Sequence, residues 1–226
     1  MMVRPVRCVP LTATHCRLRL AWSREHALLT PQQWACVMFS EESRFSLQYD
    51  SRRTFIWRAP STGYHEENII EQQRYGVAGV LAWGGIIRSS RTDLHVQIGT
   101  MTSQIYRDVI LEQHVRLFRG AQFVFMDDNA RSRRANIVSE CLQSEAITRM
   151  DWPAFSPDLN PVEHVWDRLG RRVAARQPPP ICLPKLRRAL LFEWCNTPQY
   201  QIDNLILSMP RRCADCIASS GRHAMY

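Results

Sequence analysis

The stretch Gly120-Ala121-Gln122-Phe123-Val124-Phe125-Met126-Asp127-Asp128-Asn129 decides how the rest of the sequence is read. Its apolar run, 123–126, is short and lacks polar alternation, the pattern of a central strand covered on both faces. Asp127 and Asp128 follow at once, so a carboxylate stands at the carboxyl end of a buried strand. That edge of an open α/β sheet is where ligands collect. Taken alone, Asp128 serves equally well as the cap of the next helix or the head of an Asx turn.

Downstream, residues 134–146 read as a helix, 147–152 as a short strand and 161–176 as a helix burying Val162, Val165, Trp166, Leu169 and Val173. Upstream, Ile105, Val109, Ile110, His114, Val115 and Leu117 give a helix running to about Arg119 and stopped by Gly120. Val77–Ile87 reads as a strand buried on both faces, and Leu94–Ile98 as another. Residues 36–39 and 44–49 are strand-like, and a turn at Asp50-Ser51-Arg52 into Thr54-Phe55-Ile56-Trp57 predicts an antiparallel hairpin. Residues 11–29 read as a helix with Leu18, Ala21 and Trp22 on one face and arginines on the other. Gln177-Pro178-Pro179-Pro180 forms a rigid linker, followed by helices at 184–195 and roughly 199–218. Antiparallel strands followed by strands alternating with helices describe an α/β protein, a mixed sheet with flanking helices. The expected divisions are a linker helix over 1–34, a core over 35–176 and C-terminal helices over 177–226.

The 226 residues can bury a substantial core, and 45% hydrophobic with 22% charged residues argues against disorder. The formal charge of +8 is carried almost wholly by arginine, Lys185 being the sole lysine. Arginine's planar fork matches phosphate, so a polyanion is one reading and a solvated basic surface the other. The eight cysteines show no repeated ligand spacing. Cys213-Ala214-Asp215-Cys216 with His223 nearby is at most half a zinc site. No apolar region follows Arg4 and Arg7 as a signal peptide requires, and Val77–Ile87 is too short to span a bilayer. A protein of a reducing compartment, without membrane contact, is expected.

Two further acidic positions matter. Asn160-Pro161-Val162-Glu163 has the order of a capping box, which alone accounts for Glu163. Glu41-Glu42 follows strand-like residues 37–40 and, taken alone, is unremarkable. Three acidic groups at the ends of core elements repel one another unless a cation lies between them. Oxygen ligands with few histidines suit Mg²⁺ or Mn²⁺, and paired ions of this kind drive phosphoryl transfer.

Phe39-Ser40-Glu41-Glu42-Ser43-Arg44-Phe45, Trp83-Gly84-Gly85-Ile86, Met126-Asp127-Asp128-Asn129-Ala130-Arg131 and Trp152-Pro153-Ala154-Phe155-Ser156-Pro157-Asp158-Leu159-Asn160-Pro161-Val162-Glu163-His164-Val165-Trp166-Asp167 together resemble the catalytic domain of the Tc1/mariner transposases. The 34 residues between Asp128 and Glu163 match the Tc1 branch. The resemblance runs from about residue 4 to the C-terminus. It implies an RNase H-like (retroviral integrase-type) fold, with Glu41, Asp128 and Glu163 as catalytic carboxylates holding two Mg²⁺ (or Mn²⁺) ions. It further implies cleavage at transposon ends, attack of a 3′-hydroxyl on double-stranded target DNA at a TA step, and hence a nuclear location. Arg171, Arg172 and Arg176, on the helix of Glu163, are candidate DNA contacts, although a solvated helix face explains them too; self-association into a homodimer is also expected.

The sequence departs from the family at three points. Glu41 stands where the family has Asp, and one methylene moves a carboxylate by about 1.5 Å. Mg²⁺ tolerates little distortion, and about 1 Å of misplacement can cost a hundredfold in rate, so impaired cleavage is expected. Arg133 stands where the family usually has His. The family's N-terminal helix-turn-helix region has no counterpart in these residues, so sequence-specific binding to terminal repeats is not expected from them. A non-catalytic DNA-binding or dimerising remnant is the alternative, with a decayed copy behind it.

Overall fold

The computed structural model describes residues 2–3, 10–47, 56–57, 79–118 and 122–223. The strands are β1 (Met2–Val3), β2 (Val37–Ser46), β3 (Ile56–Trp57), β4 (Gly79–Ile87), β5 (Ser90–Arg91), β6 (His95–Gln97), β7 (Val124–Met126) and β8 (Thr148–Met150). The helices are α1 (Ala13–His26), α2 (Pro31–Ala35), α3 (Ser103–Ile105), α4 (Asn136–Ser144), α5 (Pro161–Ala174), α6 (Leu183–Cys195), α7 (Gln199–Leu207) and α8 (Met209–Ala218). Helix α3 continues with i→i+5 bonding over Tyr106–Val115 and tightens over Arg116–Phe118. Its expected stop at Gly120 lies outside the described residues.

The main sheet has six strands in the order β5-β4-β2-β7-β8, with β6 also on β4. Strand β2 is antiparallel to β4 and parallel to β7, which is parallel to β8. This is the RNase H-like mixed sheet with flanking helices. Side-chain alternation divides the apolar residues between its two faces. Val37, Phe39, Val80, Ala82, Ile86 and Met126 face the larger core, with the apolar sides of α1, α2 and α5 to α8. Met38, Trp83, Ile87 and Phe125 face the smaller core under α3 and α4. The apolar runs at 123–126 and 79–87 are thus unalternating because both faces are covered.

Several expectations change. Of the expected hairpin joining 44–49 to 54–57, the described residues show β2 paired with β4 along Phe39–Ser46 and Ile56–Trp57 paired with Met2–Val3 in a separate small sheet. The connecting residues 48–55 lie outside the described set. Glu41 and Glu42 lie within the ten-residue strand β2 rather than beyond its end, because the β4 ladder continues past them. Helix α1 turns an arginine inward: Arg19 is fully buried. The residues at 199–218 form two helices, the second restarting at Met209-Pro210, where proline at the first turn needs no N–H partner.

Gly84 has a packing role. A Cβ there would stand 2.7 Å from Trp194 Cη2, so its absence admits the stacked Trp166–Trp194 pair, with ring centroids 5.3 Å apart. This pair seats α5 and α6 on the sheet. Cys213 and Cys216 belong to the same core, where burial pushes the Cys213 thiol up to about 12. They act as small apolar side chains, and among the described residues no zinc site forms around them.

Candidate active site

Register brings the acidic residues together. Phe39 pairs with Met126 across the parallel β2–β7 ladder, which stops there, and Ser40 Oγ donates to the Met126 carbonyl at 2.9 Å. Glu41 and Asp128 each lie two residues beyond this pair, on neighbouring strands running the same way. The Asp128 carboxylate accepts the Ala130 N–H at 2.9 Å, the Asx turn anticipated from sequence, and still faces the cluster.

Glu163 arrives from the third side. Asn160 caps α5 by accepting the Val162 N–H at 3.2 Å, with Pro161 in the first turn. The reciprocal capping boxes seen at Thr12 and Thr30 are not repeated; the cap of α5 is one-sided, and the Glu163 carboxyl instead feels the charges of Glu41 and Asp128. Burial pushes its carboxyl up to about 7, and the charges of Glu41 and Asp128 add to the rise. Burial likewise raises Glu41 to about 7, with Arg133 pulling against it and Asp128 adding to it.

The loop feeding α5 is clamped from below. Arg19 donates to both Asp158 carboxylate oxygens, at 2.7 and 2.6 Å, and to the carbonyls of Phe155, at 3.1 Å, and Gly221, at 2.8 Å. Arg212 donates to the Asp158 carbonyl at 2.8 Å. Although burial opposes its charge, hydrogen bonds from His223 and Arg19 hold the Asp158 carboxyl down at about 2.

Arg133 lies in the middle of the acidic cluster and is 1% exposed. Its Nη2 is 2.9 Å from Glu41 and 3.0 Å from Glu42, and its Nη1 pairs with Asp128. The Tyr106 ring lies under the guanidinium at 5.7 Å. Arg149 donates to the Arg133 carbonyl at 2.9 Å, and pairs with the buried Asp127 at 3.3 Å. Burial works against the Arg133 charge, but Glu41, Tyr106, Asp128 and Glu42 together hold its pKa well above the ordinary range. Sequence reading identified Arg133 only as a departure from a pattern. Its ion pairs span the chain, and no local signal announces them.

The three candidate DNA contacts are tied to neighbours. Arg171 pairs with Asp167 one turn earlier. Arg172 and Arg176 both reach Glu193 of α6, at 2.8 and 2.6 Å, and Arg176 also packs 5.0 Å over the Phe192 ring. Arg172 thereby joins α5 to α6, as does Arg176, which lies just past the end of α5 at Ala174 rather than on the helix; Arg171 remains the most exposed of the three.

Residues 36–182, most of the chain, match the model of the DDE superfamily endonucleases. The chain belongs to that family. Among its relatives, the Tcb1 transposase of Caenorhabditis briggsae is 27% identical over 226 residues, covering 99% of this chain and 82% of that protein. The Mos1 transposase paired-end complex with left transposon end superposes with a TM-score of 0.78 at 16% identity, over 100% of this chain and 68% of that one. The Mos1 catalytic domain solved with raltegravir and Mg superposes with a TM-score of 0.73 at 14% identity, over 96% of this chain and all of that one. Over nearly its whole length this DDE endonuclease chain thus resembles transposases of the Tc1/mariner type.

Proposed function

We propose that Glu41, Asp128 and Glu163 are the carboxylate set of this catalytic domain, acting on phosphodiesters of double-stranded DNA, and that strand cleavage is strongly impaired as the chain stands. The observation carrying this reading is the convergence of acidic residues from β2, β7 and α5 on one sheet edge, with a buried arginine among them. Residues 35–176 belong to this proposal as the catalytic core, with 1–34 as the linker segment leading into it and 177–226 as C-terminal helices packed on it. Transposon ends and a TA target, a homodimer and a nuclear location belong to the same proposal. Arg171 is the best placed of the three arginines for exchanging its carboxylate for a phosphate, since exposed ion pairs hold weakly.

The resemblance calls for two divalent ions, and Mos1 structures are known with Mg and with Mn. These carboxylates are right in type for such ions but wrong in arrangement. Among the described residues no group of three His, Cys, Asp or Glu side chains is placed to hold an ion. A guanidinium instead neutralises Glu41 and Asp128 directly. The chain's own residues thus hold the acidic edge folded and electrostatically closed. That favours the non-catalytic DNA-binding or dimerising reading as the runner-up.

Plasmid nicking in Mg²⁺ and in Mn²⁺ tests the proposal. The parent should stay near background. Glu41→Asp, alone or with Arg133→His, should nick, and Asp128→Ala should abolish that gain. Folded variants that gain nothing refute impairment at this carboxylate set and leave the runner-up.

A further inference from the structure

Glu41 and Arg133 are the two substitutions within the cluster, and they contact each other. Ninety-two positions apart, they meet at 2.9 Å. A shorter Asp at position 41 would withdraw the carboxylate by about 1.5 Å and break this contact. A His at position 133 could not reach Glu41, Glu42 and Asp128 together, as the guanidinium fork does. The longer acid and the longer base therefore fit as a pair.

The socket is built around the arginine. The Tyr106 ring supports the guanidinium face, Arg149 fixes its backbone carbonyl, and the Arg133 N–H donates to the Ala130 carbonyl at 3.0 Å. A charge this deeply buried persists only when paired, and here three carboxylates pair it.

We propose that Arg133 is the resident cation of the acidic cluster, replacing divalent metal there, and that with Glu41 it makes the folded chain independent of metal and closed to it. This rests on reading the cluster as the ancestral ligand set. A metal entering between Glu41 and Asp128 would have to displace a guanidinium that is buried and paired with both. Removing the positive charge should open the cluster to Mn²⁺.

The test is Mn²⁺ binding without DNA, followed by water-proton relaxation and by the shift of the melting temperature with MnCl₂. The parent should show no binding that depends on Asp128, judged against Asp128→Asn. Arg133→His with Glu41→Asp should bind Mn²⁺ at least tenfold more tightly than the parent, whereas Arg133→Lys, which keeps the charge, should not. Asp128-dependent binding by the parent, or equal affinities for the parent and the folded double variant, overturns the proposal. If the double variant does not fold, the parent and Arg133→Lys still decide, since Asp128-dependent binding by either refutes it. A chain that binds Mn²⁺ without nicking DNA fails here while leaving the assigned function untouched; one that excludes Mn²⁺ until Arg133 is replaced, yet never nicks, does the reverse.

Discussion

Replacing Arg19 with methionine tests how the loop that delivers Glu163 is held. The side chain is fully buried and satisfies Asp158 bidentately together with the carbonyls of Phe155 and Gly221. Methionine retains much of the volume and removes the fork. Asp158, with a side chain only 12% exposed, then loses its guanidinium. Breaking a buried pair from one side costs about 3–5 kcal/mol. At about 2–4 °C per kcal/mol for a chain of this size, the melting temperature should fall by roughly 6–20 °C. Urea denaturation followed by tryptophan fluorescence reads the loss, since Trp22 lies on α1 with Arg19 and donates to the Asp151 carbonyl at 2.6 Å. Asp158→Asn in the Arg19→Met background should recover part of the loss, because the buried carboxylate charge that lost its guanidinium is then removed. A loss below about 1 kcal/mol, the level of an exposed pair, would refute the clamp.

Gly84→Val should destabilise by about 1–3 kcal/mol through overpacking against Trp194 and Trp166, measured as a lower urea midpoint. Glu163 carries a raised pKa of about 7, so its contribution to stability is full below pH 4.5 and is lost as pH rises through 7. Glu163→Gln should therefore flatten the decline in stability between pH 5 and 8 by on the order of 1–3 kcal/mol, part of the window being shared with Glu41; an unchanged slope counts against burial of this carboxyl. Asp158 behaves oppositely: its carboxyl is held down at about 2, so its stabilisation is present above pH 3.8 and is lost as pH falls through 2. Arg171→Ala should weaken DNA binding and lower the salt slope by about one, whereas Arg176→Ala should lower the melting temperature and leave that slope unchanged.

The sequence by itself determined the α/β class, the buried strands read at 123–126 and 77–87, the helix opened by Asn160-Pro161, and the spacing of Asp128 and Glu163. These features depend on periodicity, caps and local order, which act over a few residues. It did not reveal that β2 runs unbroken through Glu41, because strand length there depends on a partner some forty residues away. Nor did it separate Arg19 and Arg133 from the surface arginines around them. An arginine reads as solvent-facing until a fold supplies carboxylates and carbonyls to hold it. For Arg19 these come from the Asp158 loop and the end of α8; for Arg133 they come from β2 and the turn after β7. The positions of the acidic residues could be read from the chain, but the cation among them was decided only by tertiary packing, because desolvation makes pairing obligatory and pairing requires groups distant in sequence to meet.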